Sequence, residues 1–319
     1  MHTWSRRQHL RAWAAAALCP WARAASVDDV IWHDAQRHRV LPLRLRWPTS
    51  PGPWPLILYS HGLGGSRDGG DAWGEAWADA GCVVVHLQHP GSDIEVLRRG
   101  LPALHAAANV EQLLARLADV RFVLDEITRR HQAGRAPWRD CRLGAVGLGG
   151  HSFGAQTTQA LAGQRFRVAA RLADPRLRAF VALSPSAPRG GLSAQQAFGA
   201  TLRPFFALTG SLDGDPFGAF ATGEPRAGVY DGLPPGQRAL LWLDGADHMT
   251  FAGNRAQRVD GRGPFRRAPV AAEREAAHHA LVARLTALWW RAHLHDDTAA
   301  RQALMQPAGL DAADRLELG

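Results

Sequence analysis

The sequence has no lysine: all 37 of its cationic side chains are arginine. Cysteine occurs three times in 319 residues, tyrosine twice. No stretch approaches the ~18 uninterrupted apolar residues that a membrane-spanning helix needs, so no stable membrane insertion is expected. The arginine-only cation set reflects a GC-rich coding sequence rather than a binding surface. The arginines alternate with acids, as in "LARLADVRFVLDEITRR", and form no basic stripe interleaved with aromatics, so no nucleic-acid partner is expected either. Internal repeats, low-complexity blocks and linkers are also missing. One α/β domain over residues 25–319 is the simplest organisation, and it is long enough to bury a large core.

Scarce cysteine bounds the covalent chemistry. Cys19 follows "AAL", a poor lipid-attachment context. Cys82 and Cys141 each open an apolar run that reads as a strand. If those strands flank a third, their Cα atoms stand roughly 9–10 Å apart at ~4.8 Å per strand step. A disulfide tolerates about 7 Å. Two buried thiols are expected, with no metal site.

The first residues stand apart from the rest. Residues 1–24 carry Arg6, Arg7, Arg11 and Arg23 and no acid, so their removal would lower the formal charge from +8 to +4. "SRRQHLR" holds twin arginines, "AWAAAAL" is a short apolar core, and "ARAA" suits cleavage near Ala24. This segment resembles a twin-arginine export signal. It implies a periplasmic or secreted protein; the alternative is a basic leader on a cytoplasmic one.

Beyond the leader, apolar runs alternate with helical stretches, the pattern of a mostly parallel sheet with helices on both faces. "RVLPLRLRW" suggests an opening antiparallel hairpin with "VIWHD". "PLILYS", "CVVVHL", "LGAVGL", "AFVALS", "PFFALTG" and "ALLWLDG" read as strands covered on both faces. Residues 109–131 place Val110, Leu113, Leu114, Leu117, Val120, Leu124 and Ile127 at helical spacing behind Asn109, a capping residue. Residues 274–294 form a second long helix, while 185–202 and 214–236 read as loops over one end of the sheet.

Chemistry enters at "GLGGHSFGAQT". Ser152 stands between Gly150 and Gly154, after a strand and before a helix start, the context that G-x-S-x-G requires. A serine hydroxyl is too weak an acid to attack unaided and needs a base oriented by a carboxylate. "ALLWLDGADHMTF" delivers His248 just after a strand, as the base. "PFFALTGSLDGDPF" delivers Asp213 as the acid, with Asp215 as the alternative. Asp247 is suited to fixing the histidine loop. A tetrahedral intermediate calls for two backbone N–H donors. Position assigns them to Phe153 and to Leu63 in "HGLGGSRDGG". His86, His89 and Asp93 suggest loop contacts near the mouth of the site rather than metal ligands. The loops at 92–108 and 185–236 should wall it with Leu97, Leu101, Leu104, Phe198, Phe217 and Phe220.

"SHGLGGSRD", "VVHLQHPGSD", "GHSFGAQT", "LTGSLDGDPFG" and "GADHMTFAG" together resemble the α/β-hydrolase group of predicted dienelactone hydrolases, akin to bacterial and plasma-type platelet-activating-factor acetylhydrolases. The resemblance implies an eight-stranded sheet, no cofactor, and ester cleavage through an acyl-enzyme. It puts the nucleophile at Ser152, the base at His248 and the oxyanion donors at Leu63 and Phe153. Two departures shape what carries over. True dienelactone hydrolases use cysteine where Ser152 stands. The plasma-type enzymes take their acid from the loop matching "LSPSAPRGG", which has no carboxylate, so the acid falls to the next strand and to Asp213. The expectation is a serine esterase acting on a small ester with a short or medium acyl group, acetyl and phospholipid-type esters included. An acyltransferase or perhydrolase with the same three residues is the alternative, and a silent fold used for binding is the third. Oligomeric state is left open.

Overall fold

A computed structural model describes residues 26–167, 172–188, 191–215, 222–254 and 267–319. The expected leader at 1–24, together with Phe217 and Phe220, lies outside the described residues. In chain order the elements are β1 (Ser26–Asp34), β2 (Arg39–Trp47), β3 (Trp54–Ser60), α1 (Asp71–Asp79), β4 (Val83–Leu87), α2 (Ile94–Arg98), α3 (Leu101–Ala107), α4 (Val110–Gln132), β5 (Cys141–His151) and α5 (Phe153–Ala162). They continue with β6 (Leu177–Leu183), α6 (Ala194–Phe198), β7 (Phe205–Leu212), α7 (Glu224–Gly232), β8 (Arg238–Asp247), α8 (Pro269–Leu294), α9 (Thr298–Met305) and β9 (Arg315–Leu318).

The strands form one mixed sheet in the order β1-β2-β4-β3-β5-β6-β7-β8-β9. From β4 through β8 every neighbouring pair is parallel; β1 with β2, β2 with β4, and β8 with β9 are antiparallel. The ninth strand corrects the expected eight. Arg315–Leu318 is a four-residue R-L-E-L segment with exposed ends and a half-buried middle, too short for its alternation to stand out. It caps the β8 edge.

Successive strand residues face opposite sides of a sheet, and each side here has its own core. Leu56 and Leu58 point into one, with Leu113, Leu117, Val120, Leu124 and Ile127 of α4. Ile57 and Tyr59 point into the other, with Trp73 and Trp77 of α1 and Leu281, Leu285 and Trp290 of α8. Trp290 lies so close to β5 that a Cβ on Gly147 would stand 2.5 Å from its ring. The absence of a side chain there lets helix and sheet meet.

The Asn109 side chain caps α4, accepting from Gln112 N at 2.8 Å. Val110 and Leu114, expected on its apolar face, are instead exposed. Cys82 and Cys141 are buried free thiols flanking β3 across the sheet. The stretches read as loops carry short helices, α2 and α3 before α4, and α6 and α7 later. Among the described residues no helix is long and apolar enough to cross a membrane.

Candidate active site

The carboxyl ends of β5, β6, β7 and β8 lie side by side in the sheet, and the residue directly after each belongs to one polar cluster: Ser152, Ser184, Asp213 and His248. β5 stops at His151 and α5 starts at Phe153, so Ser152 alone makes the corner, at φ 55° and ψ −113°. A non-glycine residue held there costs about 1–3 kcal/mol. Two backbone bonds hold it: Ser152 N donates to Leu183 O at 3.0 Å, and Gln156 N donates to Ser152 O at 3.0 Å. The flanking glycines are sterically required. A Cβ on Gly150 would collide with the Gly154 carbonyl, and one on Gly154 with the Ser60 carbonyl.

His248 follows the last residue of β8. Its Nε2 is 2.9 Å from Ser152 Oγ and its Nδ1 2.9 Å from Asp213 Oδ1. Two devices steady the histidine. Asp247 accepts from Thr250 N at 2.9 Å and Thr250 Oγ1 at 3.0 Å, the loop-fixing role its position suggested. The His151 ring lies 4.8 Å from that of His248, and its Nε2–H donates to the His248 carbonyl at 2.9 Å. Burial drops the His151 pKa to about 3, with the nearby His248 adding to the effect, so the ring is neutral and its single N–H is committed to that bond.

Asp213 is fully buried, and it is the carboxylate bonded to His248; Asp215 stands two residues further along the loop, half-buried. The Asp213 carboxylate is densely supported. Ser184 Oγ lies 2.5 Å from both of its oxygens and 2.8 Å from His248 Nδ1, and Thr209 Oγ1 donates at 2.8 Å. Arg226 Nε stands 3.1 Å from Oδ1, while the same guanidinium donates to the carbonyls of Asp213, Pro185 and Gly214 at 2.9–3.0 Å. Burial alone would raise the Asp213 pKa. The Arg226 charge, the His248 contact and the Ser184 hydroxyl outweigh it, and the net shift is downward. The group is therefore a carboxylate at neutral pH.

The loop after β3 lies against this cluster. A Cβ on Gly62 would be 3.0 Å from His151 Nδ1 and 3.5 Å from Ser152 Cβ. Among the described residues, Leu63 N makes no backbone hydrogen bond. Phe153 N is the first N–H of α5, one of the four that a helix leaves unpaired. Leu63 packs on the small cluster of Val96, Leu97 and Leu104, so the 92–108 stretch does press on the loop. Phe198, expected on a site wall, is instead in the core.

Reading the sequence missed four partners. Ser184 directly follows the apolar strand β6, in a loop whose only sequence signal was its lack of a carboxylate. Arg226 is a single cation in a Gly/Pro-rich stretch and carried no signal. Arg116 and Asp119, noted in the sequence only as part of an alternation of arginines with acids, are fully buried on α4. They fall on the helix face of Leu113, Leu117 and Val120, and charges in an apolar stripe could have flagged them. His89 and Asp93 are buried as well, and His89 is bonded to Ser60 and Asp119 instead of lying at the mouth. Among the described residues no group of three or more His, Cys, Asp or Glu side chains could hold a metal ion.

Compared with known proteins, the chain matches no protein-family model and no curated protein sequence.

Proposed function

We propose that the chain is a serine esterase with an α/β-hydrolase fold, cleaving small carboxylic esters with short or medium acyl groups through an acyl-enzyme. One observation carries the reading: a serine strained into a strand-to-helix corner, 2.9 Å from a histidine nitrogen whose other nitrogen is 2.9 Å from a buried carboxylate.

In this scheme Ser152 Oγ attacks the ester carbonyl while its proton passes to His248 Nε2. Asp213 holds Nδ1–H and stabilises the imidazolium. The carbonyl oxygen becomes an oxyanion, stabilised by Leu63 N–H and Phe153 N–H. Collapse breaks the bond to the alcohol oxygen, which takes the proton from Nε2 and leaves. Water then repeats the sequence on the acyl-Ser152, giving up its proton to His248 and releasing the acid. The proposal includes export through the twin-arginine segment. An Arg6→Lys/Arg7→Lys pair should retain in the cytoplasm a protein otherwise recovered outside it, with its N terminus near Ala25.

The test is hydrolysis of p-nitrophenyl esters, acetate through decanoate, by the wild type and Ser152→Ala. The expected result is activity that peaks at a short or medium chain and vanishes in the variant. Equal activity in both proteins would assign the chemistry elsewhere, and a wild type inert to every ester would overturn the reading.

A further inference from the structure

The loop that supplies one candidate oxyanion donor is gripped from behind by a buried cation. In a trans peptide the carbonyl of one residue and the N–H of the next point in opposite directions. Whatever holds the Gly62 carbonyl therefore aims the Leu63 N–H. Three donors converge on that carbonyl: His61 Nδ1 at 2.6 Å, Gly65 N at 3.1 Å and Arg116 Nη2 at 3.4 Å. His61 can spare Nδ1–H because its Nε2 accepts from His89 N at 3.1 Å. Burial holds its pKa well below the ordinary value, so the ring is neutral, with one donor and one acceptor.

Arg116 does more than touch this carbonyl. Its Nη1 donates to His61 O at 2.6 Å, its Nε to Ser92 Oγ at 2.8 Å and its Nη2 to Ser92 O at 3.2 Å. The guanidinium also lies over the Phe153 ring, 4.4 Å from its centre. One planar, fully buried group thus braces the Gly62–Leu63 peptide and the side chain of the residue whose own N–H is the second donor. Asp119 and Asp93 are the acids nearest in charge, and they help keep the guanidinium charged against the cost of burial. Donors on a carbonyl also polarise its amide, which makes the N–H on the far side a stronger donor.

We infer that Arg116 is a positioning residue for the oxyanion site: it fixes the Gly62–Leu63 peptide so that Leu63 N–H faces the carbonyl oxygen of the ester attacked by Ser152. The role rests on the acyl-transfer reading. It predicts that loss of the fork harms the tetrahedral state far more than substrate binding. Arg116→Lys keeps the charge but cannot bridge Ser92, His61 and Gly62 together. Losing an oxyanion donor outright costs about 10²–10³ in kcat, and misaiming one should approach the lower end.

The experiment compares the wild type, Arg116→Lys and Ser92→Ala with p-nitrophenyl acetate. Active sites are counted by fluorophosphonate labelling of Ser152, and affinity is measured for a phenylboronic acid, which forms a tetrahedral adduct on serine. For Arg116→Lys, kcat per labelled site should fall about 100-fold with KM within about threefold, and boronate affinity should fall by a similar factor. Ser92→Ala, which removes one anchor of the fork, should shift the same two quantities about three- to tenfold. It decides the matter if Arg116→Lys does not fold. Labelled, active wild type with kcat per site and boronate affinity unchanged in the folded variants would overturn the positioning role alone. A wild type that neither labels nor binds boronate overturns the acyl-transfer reading and this role with it.

Discussion

Ser152–His248–Asp213 and Ser60–His89–Asp119 are built from the same three residue types, joined in the same order. In the first chain both hydrogen bonds are 2.9 Å; in the second, Ser60 Oγ to His89 Nε2 and His89 Nδ1 to Asp119 Oδ2 are both 3.0 Å. They sit almost back to back, since Gly154, two residues beyond Ser152, rests on the Ser60 carbonyl. Their surroundings differ completely. Ser60, His89 and Asp119 have no exposed surface, whereas the His248 side chain keeps 12% and Ser152 is half-open. Asp119 is gripped by Arg37 and Arg39 at 2.8 Å, and Arg116 Nη1 reaches Ser60 Oγ at 3.5 Å. Ser60 ends a strand with ordinary backbone angles; Ser152 is forced to positive φ at a helix start. A relay of serine, histidine and aspartate is thus not a site by itself. Access and a strained corner separate the open chain from the sealed one.

The largest contrast should appear in turnover. Ser152→Ala should lower kcat at least about 10⁴-fold, while Ser60→Ala should lower it less than tenfold. Peptide mapping after fluorophosphonate treatment should find the adduct on Ser152 and none on Ser60. Adduct on Ser60, or comparable losses in the two variants, would erase the distinction drawn here.

Acid should act through the buried histidines, of which the sealed chain holds only one. Burial leads the shifts that hold His86 and His151 at about 3, His89 and His293 at about 4, and His61, His278 and His295 below the ordinary value. A folded pKa below the unfolded value of ~6.5 means that the unfolded chain takes up protons first, so stability rises with pH. The contribution is complete above ~6.5 and declines as pH falls toward the folded values. Each histidine contributes a slope of about 1.4 kcal/mol per pH unit in that window. Several together make the fall steep against a total of about 5–15 kcal/mol for a typical domain. Asp119 and Asp213, whose folded pKa values are depressed, add a further loss only below ~3.9. Urea titrations at pH 7.5, 6.5 and 5.5 should show a steep fall below 6.5. His89→Gln should reduce that slope by a small part, on the order of one seventh. A midpoint that is flat from 7.5 to 5.5 would mean these rings can take up protons in the folded state.

The acids separate stability from activity. Asp119→Asn leaves Arg37 and Arg39 without their shared carboxylate and should cost about 3 kcal/mol in urea unfolding, with kcat of the folded protein within tenfold. Asp213→Asn should cost about 10³–10⁴ in kcat. Reversed outcomes would make the sealed chain the working one.

What could be read from residues alone was the part that local rules control. Six apolar runs became the strands β3 to β8 because burial on both faces imposes continuous hydrophobicity, and the alternation of "RVLPLRLRW" marked the opening hairpin of β1 and β2. Ser152, His248 and Asp213 were found because each stands just past such a run. The rest depended on contacts between segments far apart in the chain. Arg116 meets His61 and Ser92, and Arg226 meets Asp213 and Pro185, through a fold that neither segment encodes locally. Short helices α2 and α6, five residues each, have too few turns to show a period, and the four residues of β9 too few alternations.

The smallest effect concerns Ser184, whose hydroxyl, unlike that of Thr209, touches both Asp213 and His248. It holds φ 57° and places Oγ against both Asp213 oxygens and His248 Nδ1. Ser184→Ala and Ser184→Gly both delete that hydroxyl, but only glycine relieves the left-handed backbone, a relief worth about 1 kcal/mol. If Ser184 helps to hold Asp213 and His248 in register, the two variants should lose the same three- to tenfold in kcat at unchanged KM. The glycine variant should nevertheless unfold at higher urea than the alanine variant. Equal stabilities would show that the corner is relaxed; unequal kcat values would show that its backbone, rather than the hydroxyl, positions the acid.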